Sequence, residues 1–188
     1  MKRGFTLVEL LIVIGILAIL AVVVVLVLNP AQLLAQARDS QRISDLGSIK
    51  SAIGLYLATA TSPSIAASTT CTITSCFSPF ATSTLTVTSS TVVTGGGWVA
   101  VDLTGTTGGS PLSSLPLDPT NSTTYYYAFK GDSTNKTFEL NGRLESTKYR
   151  DMMKTDGGNQ NSCTTYTENN DTPNGCFYEI GTDPGLDL

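Results

Sequence analysis

Residues 5–28, FTLVELLIVIGILAILAVVVVLVL, are apolar without interruption except for Thr6, Glu9 and Gly15. As a helix rising 1.5 Å per residue these 24 residues reach roughly 36 Å, enough to cross a bilayer. Hydrocarbon offers the backbone no water, so such a segment must close its N–H and C=O groups internally, as an α-helix. Lys2 and Arg3 stand ahead of it, and the next basic residue is Arg38. That asymmetry predicts a single pass, with the N-terminus in the cytoplasm and the chain beyond Leu28 outside.

The pattern changes at Asn29-Pro30. Proline removes a helix hydrogen bond and clashes with the preceding turn, so Pro30 predicts a kink where the helix leaves the membrane. From Ala31 to Leu57 the apolar residues Ile43, Leu46, Ile49, Ile53, Tyr56 and Leu57 recur at three- and four-residue steps, an amphipathic helix. Asp39, Arg42 and Asp45 lie three apart and read as a second, surface face on which pairing adds only tenths of a kcal/mol. Gly47 and Gly54 each cost about 1 kcal/mol of helix propensity without breaking the pattern. Ala60-Thr61-Ser62-Pro63 then predicts a stop near Thr59.

Beyond residue 60 the periodicity shortens to that of strands. From Ser51 to Phe129 there is no lysine or arginine, only Asp102 and Asp118 are acidic, and serine and threonine dominate. One reading of that composition is a disordered stalk. The other, which we adopt from Thr84 onward, is a folded region with strands at Leu85–Thr88, Thr91–Val93 and Trp98–Leu103, leaving 62–83 as a loop. Thr124–Phe129 alternates so that Tyr125, Tyr127 and Phe129 share a face; Gly131-Asp132 opens a turn, and Lys136–Leu140 returns as the partner strand. The tail from Asp151 reads as loop, with a short strand over Cys176–Gly181.

Charge and cysteine content narrow the function. The formal net charge of −4 leaves no broad basic surface, so nucleic acid is not expected as a partner of this subunit alone. Cys71, Cys76, Cys163 and Cys176 all fall on the outer side, where an even count suggests two bridges. Three pairings exist; we favour Cys71–Cys76 with Cys163–Cys176, because each pair brackets a short polar loop. The second would close a loop worth roughly 3 kcal/mol in the chain-entropy model. With no histidine and no C-x-x-C, zinc is disfavoured. No G-x-S-x-G, G-x-x-x-x-G-K or H-E-x-x-H occurs, so the chain is not expected to be an enzyme.

Glu9 is the anomaly. A carboxylate among Leu7, Val8, Leu10 and Leu11 loses hydration, at about 2.5–3.5 kcal/mol in the membrane centre and less near the interface. Three things offset such a loss: snorkelling to the interface, protonation, or a partner. The string Gly4-Phe5-Thr6-Leu7-Val8-Glu9-Leu10-Leu11, behind a short basic leader, resembles the N-terminus of type IV prepilins and type II secretion pseudopilins. A secretory signal with its A-x-A site at Ala35-Gln36-Ala37 is the competing reading, against which stands the length of the run.

The resemblance implies that a prepilin peptidase cuts between Gly4 and Phe5 and methylates the new N-terminal Phe5, and that Glu9 neutralises the Phe5 amine of a neighbouring subunit, setting filament register. It also implies that Ala31, Leu33, Leu34 and Ala37 pack against other copies. The expected fold is α+β and pilin-like, a long N-terminal helix packed on a small antiparallel head. Residues 1–4 are then leader, 5–28 the transmembrane helix, 29–59 its amphipathic continuation and 60–188 the extracytoplasmic head. Leu115-Pro116-Leu117-Asp118-Pro119 before the tyrosine-rich strand resembles the same part of major pseudopilins. Those proteins carry calcium in a C-terminal loop; here Gly181 and Asp183 are present but Pro184 stands where glycine is expected, solvated turn residues are an equal reading, and no ligand is assigned. Otherwise no cofactor is expected.

The expected function is a structural subunit polymerising into a pilus or pseudopilus, with the membrane, the peptidase, an assembly platform and further copies of itself as partners. It would sit in the cytoplasmic membrane and then in a periplasmic or cell-surface filament. The alternative is a membrane-anchored or secreted extracellular binding module that does not polymerise.

Overall fold

The computed structural model of the protein describes residues 4–73, 86–158 and 176–186. Helix α1, Leu7–Leu28, is followed by α2, Pro30–Thr59. Between them Asn29 takes a left-handed conformation, φ 40° and ψ 75°. Asparagine tolerates that geometry better than most residues. It closes α1 and caps α2 at once, its Oδ1 accepting from the Gln32 N–H at 3.4 Å, while Pro30 takes the first helical position, where no N–H is needed.

Five strands form one sheet in the order β2-β1-β3-β4-β5: β1 Thr69–Cys71, β2 Thr86–Val87, β3 Tyr127–Asp132, β4 Thr137–Gly142 and β5 Tyr178–Gly181. All neighbours are antiparallel except β1 and β2, so the head is α+β with a mostly antiparallel sheet. Its helix-facing side carries Tyr127, Phe129, Phe138 and Leu140, which pack with Leu46, Ile49, Ile53 and Tyr56 of α2 into the main core. Alternation turns Ala128 of β3, and Tyr126 just before the strand, the other way, into a smaller cluster with Cys71 and Phe177. At Gly142 a Cβ would stand 2.9 Å from Leu46 Cδ1, so glycine lets β4 approach α2 closely.

Several expected elements differ. Thr91–Val93 and Trp98–Leu103 are not strands; they are bends joined by one bridge, Thr94 to Asp102, leading into a 3-10 turn over Leu103–Gly105. Trp98, Val99, Val101 and Leu103 are nevertheless core. Gly97 marks the departure: a Cβ there would lie 2.2 Å from the Val92 carbonyl oxygen, so two loop segments are pressed together at a distance only glycine allows. Loop-to-loop bonds replace the ladder, from Trp98 N–H to the Ser90 carbonyl at 3.0 Å and from Leu115 N–H to the Thr91 carbonyl at 2.7 Å. Trp98 also donates through Nε1 to the Pro116 carbonyl at 2.9 Å.

The hairpin turn lies two residues later than expected. Gly131 and Asp132 belong to β3 and the turn is Ser133–Lys136, because Asp132 Oδ1 accepts from the N–H groups of Thr134 and Asn135 and starts the reversal from the last strand position. The tail holds a 3-10 turn, Arg150–Lys154, ahead of β5. The expected loop over 62–83 contains strand β1 at Thr69–Cys71, while its residues 74–83, with Leu85, the Asn169–Asp171 turn and Asp187, lie outside the described residues.

The expected surface face of α2 is the clearest correction. Asp39 and Arg42 are fully buried. The buried residues Ala35, Asp39, Arg42, Leu46, Ile49, Ile53 and Tyr56 step by four and three along α2, so the charged pair lies in phase with the apolar stripe. Asp45 flanks that stripe, half-buried, and accepts from the Tyr127 hydroxyl at 3.0 Å.

Candidate functional site

Two polar sites stand out, one at the start of α1 and one inside the head. Gly4 and Phe5 are exposed and precede the helix, with Phe5 at 77 % of full exposure; Lys2 and Arg3 lie outside the described residues. Thr6 is the N-cap of α1 and Glu9 sits three residues on, forming a reciprocal capping box. Thr6 Oγ1 accepts from the Glu9 N–H at 3.2 Å, and Glu9 Oε2 accepts from the Thr6 N–H at 2.9 Å and from the Thr6 hydroxyl at 2.8 Å. Thr6 is thus a partner for Glu9 within its own chain, one that sequence reasoning passed over although T-x-x-E before an apolar run is its signal.

Beyond that box α1 has no polar contact to spend. Each of its described side chains is exposed, with Leu7 at 78 % and Val13, the most covered of its large hydrophobics, at 43 %. The run Leu7–Val25 is long and apolar enough to cross a membrane. Exposure continues at the start of α2 through Ala31, Leu33, Leu34 and Ala37, the residues expected to meet other copies, while Ala35 already turns into the head. A continuous apolar surface of this extent has to be covered by lipid or protein.

The second site is a saturated guanidinium. Arg42 grips Asp118 with two donors, Nε to Oδ2 at 2.7 Å and Nη2 to Oδ1 at 3.1 Å. Nη1 donates to Asp39 Oδ1 at 2.8 Å and to Glu145 Oε1 at 2.6 Å, Nη2 also reaches the Thr120 hydroxyl at 3.0 Å, and the Tyr125 ring lies 4.7 Å from the guanidinium carbon. Arg38 adds a bidentate pair to Glu145 at 2.6 and 2.8 Å. The carboxylates are equally engaged: Asp39 accepts from the N–H groups of Glu145 and Ser146, and Asp118 from those of Thr120 and Asn121. The planar fork of arginine suits this multiple docking, which lysine could not reproduce.

Charge pairing sets the protonation of the cluster. Burial pushes Asp118 upward, but the hydrogen bonds from Arg42 and Thr120 outweigh it and hold the carboxyl below its ordinary range. Glu145 behaves alike, raised by burial and lowered further by Arg38 and Arg42. Burial works against the charge on Arg42, yet Asp118, Glu145 and Asp39 hold it protonated above its ordinary value. Asp45 goes the other way: burial raises it and the Tyr127 hydrogen bond only partly compensates.

Asn29-Pro30 divides the two helices. Cys71 and Cys176 are disulfide-bonded, whereas Cys76 and Cys163, and with them the choice of pairing, lie outside the described residues. Asp183 Oδ1 accepts from the Thr137 hydroxyl at 3.1 Å, and among the described residues no three His, Cys, Asp or Glu side chains gather as metal ligands.

Residues 1–25 match the family model for the prokaryotic N-terminal methylation motif. The chain therefore carries the prepilin-type signal shared by type IV pilins and pseudopilins. No curated protein and no solved structure matches the chain.

Proposed function

We propose that this protein is a structural subunit of a type IV pilus or type II secretion pseudopilus. It is cut between Gly4 and Phe5, methylated at Phe5, and polymerised through α1. The observation that carries the reading is the coincidence of the methylation motif with a helix whose apolar surface is left exposed among the described residues. In the precursor the bilayer covers it. In a filament neighbouring helices do, and a head-to-tail contact of that kind does not close, so it propagates as a helical polymer.

Glu9 sets the register. Its Oε2 is held by Thr6, and the Phe5 amine released by cleavage in the next subunit supplies the positive charge that a carboxylate in a water-poor core requires. The precursor is anchored with its N-terminus in the cytoplasm and its head outside, stapled by Cys71–Cys76 and Cys163–Cys176. The role is structural, not catalytic.

The test is the intact mass and N-terminal residue of the protein from its native membrane, together with a Gly4 substitution. A chain starting at methylated Phe5, and a Gly4 variant that accumulates as precursor, support processing. A start at Arg38 would make the apolar run a discarded secretory signal, and an intact Met1 a plain anchor. For register, Glu9→Ala should leave the head folded and inserted but abolish filaments; normal filament yield would sink that assignment.

A further inference from the structure

The head has an open cleft of about 810 Å³ where the edge strand β2 meets the loop between Asp118 and Tyr125, and we infer that it binds a neutral carbohydrate. Of the nine described residues that line it, six carry a hydroxyl, one is the amide Asn121, and the remaining two are Ile73 and Val87. None of these nine is ionisable. A charged ligand would surrender hydration there with no counter-charge to replace it, and an apolar one would strip water from the hydroxyls without offering hydrogen bonds. A sugar meets both demands: each of its hydroxyls donates and accepts, as serine and threonine do, and its C–H faces suit the small apolar floor. The volume lies within the range of small-ligand sites.

The cleft is held in shape from inside the head. Asn121 is left-handed, φ 41°, an uncommon conformation for a residue other than glycine. Two contacts keep it there: its N–H donates to Asp118 Oδ1 at 3.1 Å, and its Oδ1 accepts from the Thr72 hydroxyl at 2.8 Å. Thr72 lies just beyond β1, and its Oγ1 also accepts from the Tyr127 N–H at 3.3 Å. Asp118 is the carboxylate that Arg42 clamps, so the buried hub fixes one wall of the cleft relative to the sheet. On the other wall the Ser90 N–H donates to Thr88 Oγ1 at 3.2 Å, fixing the turn after β2. Ser89 and Thr123 are exposed at the cleft, where their hydroxyls are open to a ligand. A pre-shaped polar wall binds without first ordering itself, which is what weak sugar recognition needs.

This site does not require polymerisation and is tested on the full-length chain in phosphatidylcholine nanodiscs, without glycoside detergents. The probes are maltotriose and chitotriose, titrated to tens of millimolar, with the methyl resonances of Thr72, Ile73, Val87 and Thr88 as readout. Saturable shifts confined to those methyls are expected for at least one probe, maltotriose reporting plain hexose recognition and chitotriose an N-acetylated sugar. Ser89→Ala with Thr123→Val, both exposed and outside the core, should weaken binding about tenfold while the core methyls of Leu46 and Ile49 stay in place. No shift with either sugar would overturn the proposal. So would binding indifferent to the double variant, or shifts produced instead by an uncharged extended peptide adding to β2.

Discussion

The two helices each carry a charge where the helix pattern has no place for one, and they resolve it in opposite ways. In α1 the carboxylate of Glu9 is met by a threonine of its own turn and, among the described residues, by no cation. In α2 the guanidinium of Arg42, equally out of place in an apolar stripe, is saturated by three carboxylates, a hydroxyl and a ring. A charge left incomplete within a molecule can recruit another molecule; one completed inside can only hold its own fold. On this contrast α1 is the part that looks outward, and the first turns of α2 inside the head are the part that fixes its architecture.

The contrast breaks most visibly on substitution. Arg42→Leu leaves Asp39, Asp118 and Glu145 facing one another in a dry site, and removal of one partner from such a cluster costs about 3–5 kcal/mol. Glu9→Ala should change head stability by less than about 0.5 kcal/mol, since its side chain bonds only to Thr6 among the described residues. Urea unfolding followed by Trp98, the only tryptophan and fully buried, reads both. If the two variants fell by similar amounts, the division between an outward and an inward charge would be wrong.

A smaller effect tests how the hub is held. Asp118→Asn keeps part of the hydrogen bonding but removes the charge facing Arg42, and should cost about 1–3 kcal/mol at neutral pH. The sign with pH follows from the lowered carboxyls of Asp118 and Glu145. Their contribution is complete above the ordinary carboxylate pKa of about 4 and is lost as pH falls through their lower folded values. The wild-type head should therefore lose stability below about pH 4, and Asp118→Asn should flatten that slope. An equally steep acid limb in the variant would place the acid sensitivity elsewhere.

How much of this was legible depended on distance along the chain. The membrane run, the break at Asn29-Pro30 and the methylation motif are local patterns, and the apolar stripe of α2 is visible in its steps of three and four. The hub was not legible, because Arg42 meets Asp118 76 residues away and Glu145 103 residues away. One local clue existed: Asp39 and Arg42 occupy stripe positions, and a charge in phase with a buried stripe implies a partner beyond the helix. The β-branched and aromatic runs misled in the Thr-rich region, where apolar residues such as Trp98 and Val101 are core but reach it from bends instead of strands. Shape there follows from close backbone approach at Gly97, which no periodicity encodes.

The finest test separates Asp45 from the hub it adjoins. Burial raises its carboxyl, so the folded state resists its charge, and its stabilising share is present at low pH and lost as pH rises through the raised value. That is the reverse of Asp118. Asp45→Asn keeps an acceptor for the Tyr127 hydroxyl and discards the charge, so at neutral pH the variant should match the wild type or exceed it by no more than about 1 kcal/mol. Toward acid the two should converge. A loss at neutral pH comparable to that of Asp118→Asn would mean that Asp45 is a working member of the Arg42 cluster, and the boundary between the hub and its neighbours would move outward by one turn of α2.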